Sequence, residues 1–471
     1  MKSGFALKLA IAASMIGSAG CASTPKQPAS ATQESAQNIQ TSDAADAHHQ
    51  TSTTESDATD VRDDTNTTET IDSPASDMTS DSTPLSADHP TVMVQPDGSI
   101  VSEQDHISNA QTTERSEIQQ RIDAGDFVSA RKLALDNYKS GQSDDTDFWA
   151  AVEADPLLNE TLEETVKPHG TNTLSALGGG STVSFKYQDS ADASAKAAIK
   201  PDQDLRQTMY RSGIAYYRLC QILGCSFDTP VTRPVKWKKD DFNTLYNAST
   251  SPKNGPYRSK FDHLIWAKEN GQRILYAGYK EWIPSFIGFP IEVTSAWSIY
   301  QRPGTTKYPD LRTFYKHILV GGRPNAINDI NKLLDYSQNL TTRDILKQLS
   351  DITLVDYLTN NWDRYSGAQD NYGANCHFQP GGIIAIDNDA AFPAWHAPRV
   401  VKRLNLVQTF SRELVDNLRL LDPDKLLSHL IPNPTKEELR SYERFKERRR
   451  DALKYIDGLI MKYGEDKVLV Y

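Results

Sequence analysis

The sequence predicts an α+β fold of two lobes over residues 171–471, preceded by a short helical leader (116–170) and a disordered tether (21–115). Three observations carry this expectation. From Thr173 onward, the β-prone runs "STVSFKY", "AAIKP" and "RILYAGYKEWIP" bracket one helical apolar face, "MYRSGIAYYRLCQILG". Beyond "KEWIP" the chain reads as helical to its end apart from one hairpin, "NCHF" and "IIAID" joined by "QPGG". The order of sheet, helix, hinge-like strand and helical remainder places a cleft between an N-lobe of about 171–285 and a C-lobe of about 286–471.

Taken in order, the first segment reads as a targeting signal. "MKSGFALKLAIAASMIGSAGC" sets Lys2 and Lys8 before an apolar run too short to span a membrane comfortably, with small residues before Cys21. This predicts a signal peptide over residues 1–20. "GSAGC" resembles a bacterial lipobox, departing from it at Ser18, where an aliphatic residue is usual. The resemblance implies lipidation of Cys21 and a lipid-anchored protein of the bacterial cell envelope, facing the periplasm or the exterior; an ordinary signal peptide with an unrelated Cys is the alternative. From residue 22 to 115 the chain is dominated by Ser, Thr, Asp, Ala and Gln with almost no aromatic residues, and such a composition buries too little apolar surface to offset the entropy of ordering. This segment holds 17 acidic and 3 basic residues, and the signal holds two lysines, which leaves 45 acidic and 46 basic residues from 116 to 471. The net charge of −11 therefore belongs to the tether, and composition offers no case for nucleic-acid binding. Without a later apolar run of spanning length, the lipid is the only membrane attachment expected.

In the leader, "SEIQQRIDAGDFVSARKLALDNY" places apolar residues at helical spacing on both sides of a break at Ala124-Gly125-Asp126. No second copy at a fixed period supports a repeat. Cys220 and Cys225 are close enough for a disulfide in an oxidising compartment, but with Cys376 one thiol is left over and no metal spacing appears; all three read as packing residues. Gly224 is a C-cap for the helix before it.

The chemistry lies in the order of a few polar residues. "GGGST", Gly178 to Thr182, allows close approach of backbone N–H groups to phosphate, with Gly179, Gly180 and Ser181 as contact residues. Lys200 ends an apolar strand and would enter the cleft. Asp363 follows the helical run "TRDILKQLSDITLVDYLTNNW" in a loop, where a carboxylate can accept a hydroxyl proton. Asn375 opens one hairpin strand and Asp387 closes the other, so their hard oxygens meet at the open end and suit Mg²⁺ or Mn²⁺. Each residue alone has a plain local explanation, since Asp and Asn favour turns and glycine triplets favour loops. Together the series predicts phosphoryl transfer from ATP.

"GGGSTVSFKY…AAIKPDQ…IAYYRLCQILG" followed by "DYLTNNWDRY…IIAIDNDAAF" resembles the secreted kinases of the four-jointed and Golgi casein kinase family, and more distantly HipA-like and phosphatidylinositol-kinase-like folds. The resemblance implies a protein-kinase-like domain in which Lys200 holds the ATP phosphates, Asp363 is the catalytic base and Asp387 the main metal ligand. It points to Asn375 as second ligand, with Asn371 as the alternative, and sets Glu281 near the adenine. The implied acceptor is a hydroxyl of protein Ser/Thr or of a glycan. Two departures stand out: Tyr365 where the family has His, and Gly213 where the helix after the Lys usually begins with a Glu that pairs with it. The second keeps open a nucleotide-binding pseudokinase; nucleotidyl transfer and a sugar or lipid acceptor are further alternatives.

Overall fold

The computed structural model describes residues 92–94, 100–102, 117–159, 164–165, 171–177, 182–190, 193–205, 209–247, 258–288, 294–318, 326–364 and 375–471. Cys21, Gly179, Gly180, Ser181, Tyr365 and Asn371 lie outside them, as do the signal and nearly all of the tether. The chain is of mixed α+β architecture, with an antiparallel sheet and many helices.

The leader forms helices α1 (Phe127–Lys139) and α2 (Thr146–Ala154). The expected break is present: Gly125 has φ +76°, and the Asp126 side chain caps α1 by accepting from the Ser129 backbone N–H at 3.2 Å. The leader is no separate body in packing terms. Phe148, Trp149 and Val152 join the larger hydrophobic core, and the Trp149 indole stacks on His429 with centroids 5.1 Å apart.

The sheet comes next, with β1 (Thr173–Ala176), β2 (Phe185–Gln188), β3 (Ala195–Pro201), α3 (Tyr210–Leu223), β4 (Thr232–Lys238), α4 (Lys239–Asn247), β5 (Trp266–Glu269) and β6 (Gln272–Glu281). The strands run β4-β6-β3-β2-β1, with the short Glu164–Thr165 strand beside β4 and β5 paired to β6. Asn270 and Gly271, both at positive φ, close the tight β5–β6 turn, the pairing of residue types that a twisted hairpin favours. One face of this sheet closes over a compact core of Phe185, Ile199, Val235, Trp237, Phe242 and Leu275.

Past the connector from Trp282 to Phe286, helices α5 (Leu311–Ile318) and α6 (Ala326–Tyr336) precede α7 (Thr342–Thr359), around which the helical part is organised; its capping box pairs Thr341 with Asp344 and its residues are nearly all buried. The expected hairpin follows as β8 (Cys376–Gln379) and β9 (Gly382–Ala385), with β7 (Ile287–Gly288) added to β8. The Gly381 and Gly382 backbones, at φ +101° and +127°, supply the turn that "PGG" announces. The later helices include α8 (Pro398–Leu404), α9 (Arg412–Leu420), α10 (Pro423–Leu430) and the long α11 (Lys436–Tyr463). Cys220, Cys225 and Cys376 are free thiols, and burial pushes the Cys376 thiol up to about 12. Among the described residues no helix is long and apolar enough to cross a membrane.

Candidate active site

A cavity of about 250 Å³, near the lower bound of roughly 300 Å³ usual for small-ligand clefts, opens between the sheet and the β8–β9 hairpin. Its sheet side is Leu177, Ser184, Ala198, Lys200, Lys280 and Glu281; its other side is Asn375, Ile386 and Asp387, with Trp282, Ile283 and Phe286 of the connector at one end. Leu177 and Ser184 are the stem of the expected glycine loop, joined by the Leu177 N–H donating to the Ser184 carbonyl at 2.8 Å. Glu281 ends β6 at the rim, its N–H donating to the Val231 carbonyl at 3.0 Å.

The strand position of Lys200 sends its side chain inward, where only 5 % of it is exposed. Its ammonium donates to Asp387 Oδ1 at 3.0 Å and lies 4.0 Å from Asp389 Oδ2. Burial works against that charge, yet Asp387 and Asp389 outweigh it and the pKa rises above the ordinary lysine value. Asp387 stands two residues beyond β9 in left-handed backbone (φ 50°, ψ 53°), a region that Asp enters more readily than most residues. Desolvation favours its neutral form, but Lys200 and Lys280 hold the carboxyl well below the usual range. Asp389, on the single turn after it, is almost wholly buried and accepts from Lys280; burial first of all, opposed by Lys280 and Lys200, pushes it up to about 6.

Asp363 sits in the turn after α7, as expected. Its Oδ2 accepts from the Asn375 amide at 3.2 Å, and the same amide nitrogen reaches the Asp363 carbonyl at 2.9 Å. The nitrogen being committed there, the oxygen is the atom Asn375 has to offer a cation. Asn375 lies immediately before β8 rather than within it. The structure thus brings together Lys200, Asp363, Asn375, Asp387 and, at the rim, Glu281.

Three further residues of this site had no assigned part in the sequence reading. Arg364 is fully buried and joins four elements: Asp356 of α7, the Asn375 and Ile386 carbonyls on the two arms of the hairpin (2.7 and 2.9 Å), Asn388 (2.6 Å) and the Tyr216 hydroxyl of α3 (3.1 Å). Burial opposes its charge, and Asp356 more than restores it. Lys280 and Asp389 are the other two. Asp389 lay inside "IIAIDNDAAF", and only its spacing of two from Asp387 could have flagged it.

A divalent cation fits this donor set in part. Asp387 and Asn375 offer hard oxygens, while among the described residues no group of three or more His, Cys, Asp or Glu could hold a metal ion alone. That suits Mg²⁺, which is commonly held by one or two carboxylates plus substrate phosphates.

No protein-family model matches the chain, and no curated protein matches it. Among solved structures, it aligns with an aminoglycoside phosphotransferase from Alicyclobacillus acidocaldarius at 12% identity and a TM-score of 0.17, over 65% of this chain and 99% of that one. An alignment at that score fixes neither fold nor function.

Proposed function

We propose that the protein is a kinase with a protein-kinase-like arrangement of lobes, transferring the terminal phosphoryl group of ATP to a hydroxyl, with protein Ser/Thr as the favoured acceptor. The observation that carries the reading is the meeting, in one cleft, of a buried strand lysine with Asp387 at 3.0 Å, beside an Asp363–Asn375 pair at 3.2 Å. Such transfer needs positioning and electrostatic stabilisation more than covalent help. Lys200 supplies positive charge to the phosphate oxygens, exchanging Asp387 for them. Asp363, steered by the Asn375 amide, accepts the hydroxyl proton as the acceptor oxygen bonds to phosphorus and the bond to the leaving ADP breaks. Asp387 and Asn375 would hold Mg²⁺ or Mn²⁺, which when bound neutralises phosphate charge. Glu281 and the connector border the space for the base.

Export and lipid anchoring through Cys21 complete the proposal, resting on the leader sequence. Incubating the protein with labelled ATP and Mg²⁺ or Mn²⁺, then locating modified residues by mass spectrometry, tests the chemistry. Transfer to itself or to added protein is expected. Binding of nucleotide without transfer to any hydroxyl would leave the pseudokinase reading in its place.

A further inference from the structure

Gly213 reads in sequence as a missing group, because a helix Glu is what steadies a phosphate-binding lysine in the resembled enzymes. The structure fills that place from another element. A Cβ built on Gly213 would collide with Oδ1 of Asp389 and come 3.6 Å from Cε of Lys280, so α3 presents bare backbone because a carboxylate and a lysine stem occupy the space. Asp389 accepts from Lys280, whose ammonium is also 3.5 Å from Asp387 Oδ1.

We infer that Lys280 is a second phosphate ligand beside Lys200, and that Asp389 is the positioning residue that holds both, doing from the post-hairpin turn what a helix carboxylate would do from position 213. The inference rests on the kinase reading and specifies how that site receives its triphosphate.

The sheet register places the two lysines together. Ala198 pairs with Lys280 and Lys200 with Gly278 across β3 and β6, so Lys200 and Lys280 are diagonal neighbours on one sheet face. Both line the cavity. Two ammoniums and two carboxylates balance before nucleotide arrives. A triphosphate with one divalent cation adds about two net negative charges, and a second lysine lowers the cost of admitting them. Asp387 is shared by both lysines and stands 39 % exposed at the cavity, whereas Asp389 is 1 % exposed. When Asp387 turns to a cation, Asp389 remains to hold the ammoniums in place. A purely structural Lys280–Asp389 pair would not require Lys280 itself to line the cavity beside a second lysine.

The test compares ATP with adenosine, each titrated with Mg²⁺ by calorimetry, for wild type, Lys280→Met and Lys280→Met/Asp389→Asn; the double variant removes both charges and so leaves no unpaired buried carboxylate. If Lys280 meets phosphate, ATP binding weakens by about 10- to 100-fold in both variants while adenosine binding changes little. Loss of both ligands in parallel, or of neither, overturns the assignment while leaving the kinase reading standing. A wild type that binds neither ligand overturns both.

Discussion

Arg364 grips Asp356 through one edge of its guanidinium, Nε donating to Oδ2 and a terminal nitrogen to Oδ1, each at 3.0 Å and both side chains buried. A planar fork of this kind is not reproduced by an ammonium. Arg364→Lys should therefore destabilise the protein by about 3–5 kcal/mol, the usual range for a broken buried pair, read as a lowered urea midpoint. Asp356→Asn should cost a similar amount, and the two losses should fall well short of adding. Additive losses would show that the pair does not act as a unit.

Asp387→Ala should reverse its effect with conditions. With Mg²⁺ present, ATP binding should weaken roughly ten-fold or more, because the proposed cation ligand is lost. In chelator the variant should bind ATP no worse than wild type, since a negative charge near phosphate is gone and Lys200 is released. Equal weakening in both conditions would mean that Asp387 serves only to hold the lysines.

At Asp363, chemistry and binding should separate. Asp363→Asn is expected to lower kcat by about 10²–10⁴-fold while the Kd for ATP stays within about two-fold, because in the proposed reaction this carboxylate meets the acceptor hydroxyl and not the nucleotide. A matching fall in ATP affinity would place it on the nucleotide instead.

Stability should carry a pH signature from Asp351. Burial pushes this carboxyl up to about 7, with the Ser226 hydroxyl (2.6 Å) opposing, while its other oxygen finds no hydrogen-bond partner among the described residues. The unfolded chain releases this proton near pH 4, whereas the folded chain keeps it to about pH 7. The contribution is therefore lost as pH rises through that window and constant above it. Asp351→Asn should remove the slope, gaining up to about 4 kcal/mol on wild type at pH 8 and almost nothing at pH 4, by urea unfolding. A difference independent of pH would place the titration elsewhere.

For the anchor, Cys21→Ser should move the protein from the membrane to the soluble fraction on cell fractionation. Unchanged retention would remove the lipid from the proposal.

Much of the site was legible because its parts are announced locally. A helix ending at Thr359, a loop Asp, and a hairpin turned by Gly381 and Gly382 fix Asp363, Asn375 and Asp387 within a short stretch, and hairpin closure brings the last two together without knowledge of the rest. Lys200 needed only a strand that ends in the cleft. Lys280 was hidden because "GYKEW" reads as an alternating strand whose Lys belongs to solvent; its partner is 109 residues away, and only the register of β6 against β3 turns it inward. Gly213 misled for a related reason. A glycine reports space needed by something else, and the sequence does not say what fills it. Arg364 went unassigned because its role depends on reaching carbonyls and hydroxyls on elements far apart in the chain.

Helix α3 lies between two strands of the sheet in chain order, yet Ala215, Tyr216, Leu219, Ile222 and Leu223 pack into the larger core with α7 and the leader, and Arg364 reaches up to Tyr216 from below. The boundary between the two hydrophobic cores thus does not follow the chain. It runs between the core under the sheet and the core that α3 joins, and the ion pairs of Lys200 with Asp387 and of Lys280 with Asp389 link the sheet to the turn beyond the hairpin. On the kinase reading a triphosphate would exchange places with these aspartates on both lysines, so the ion pairs that tie the sheet to the turn after the hairpin are the ones a nucleotide would take over.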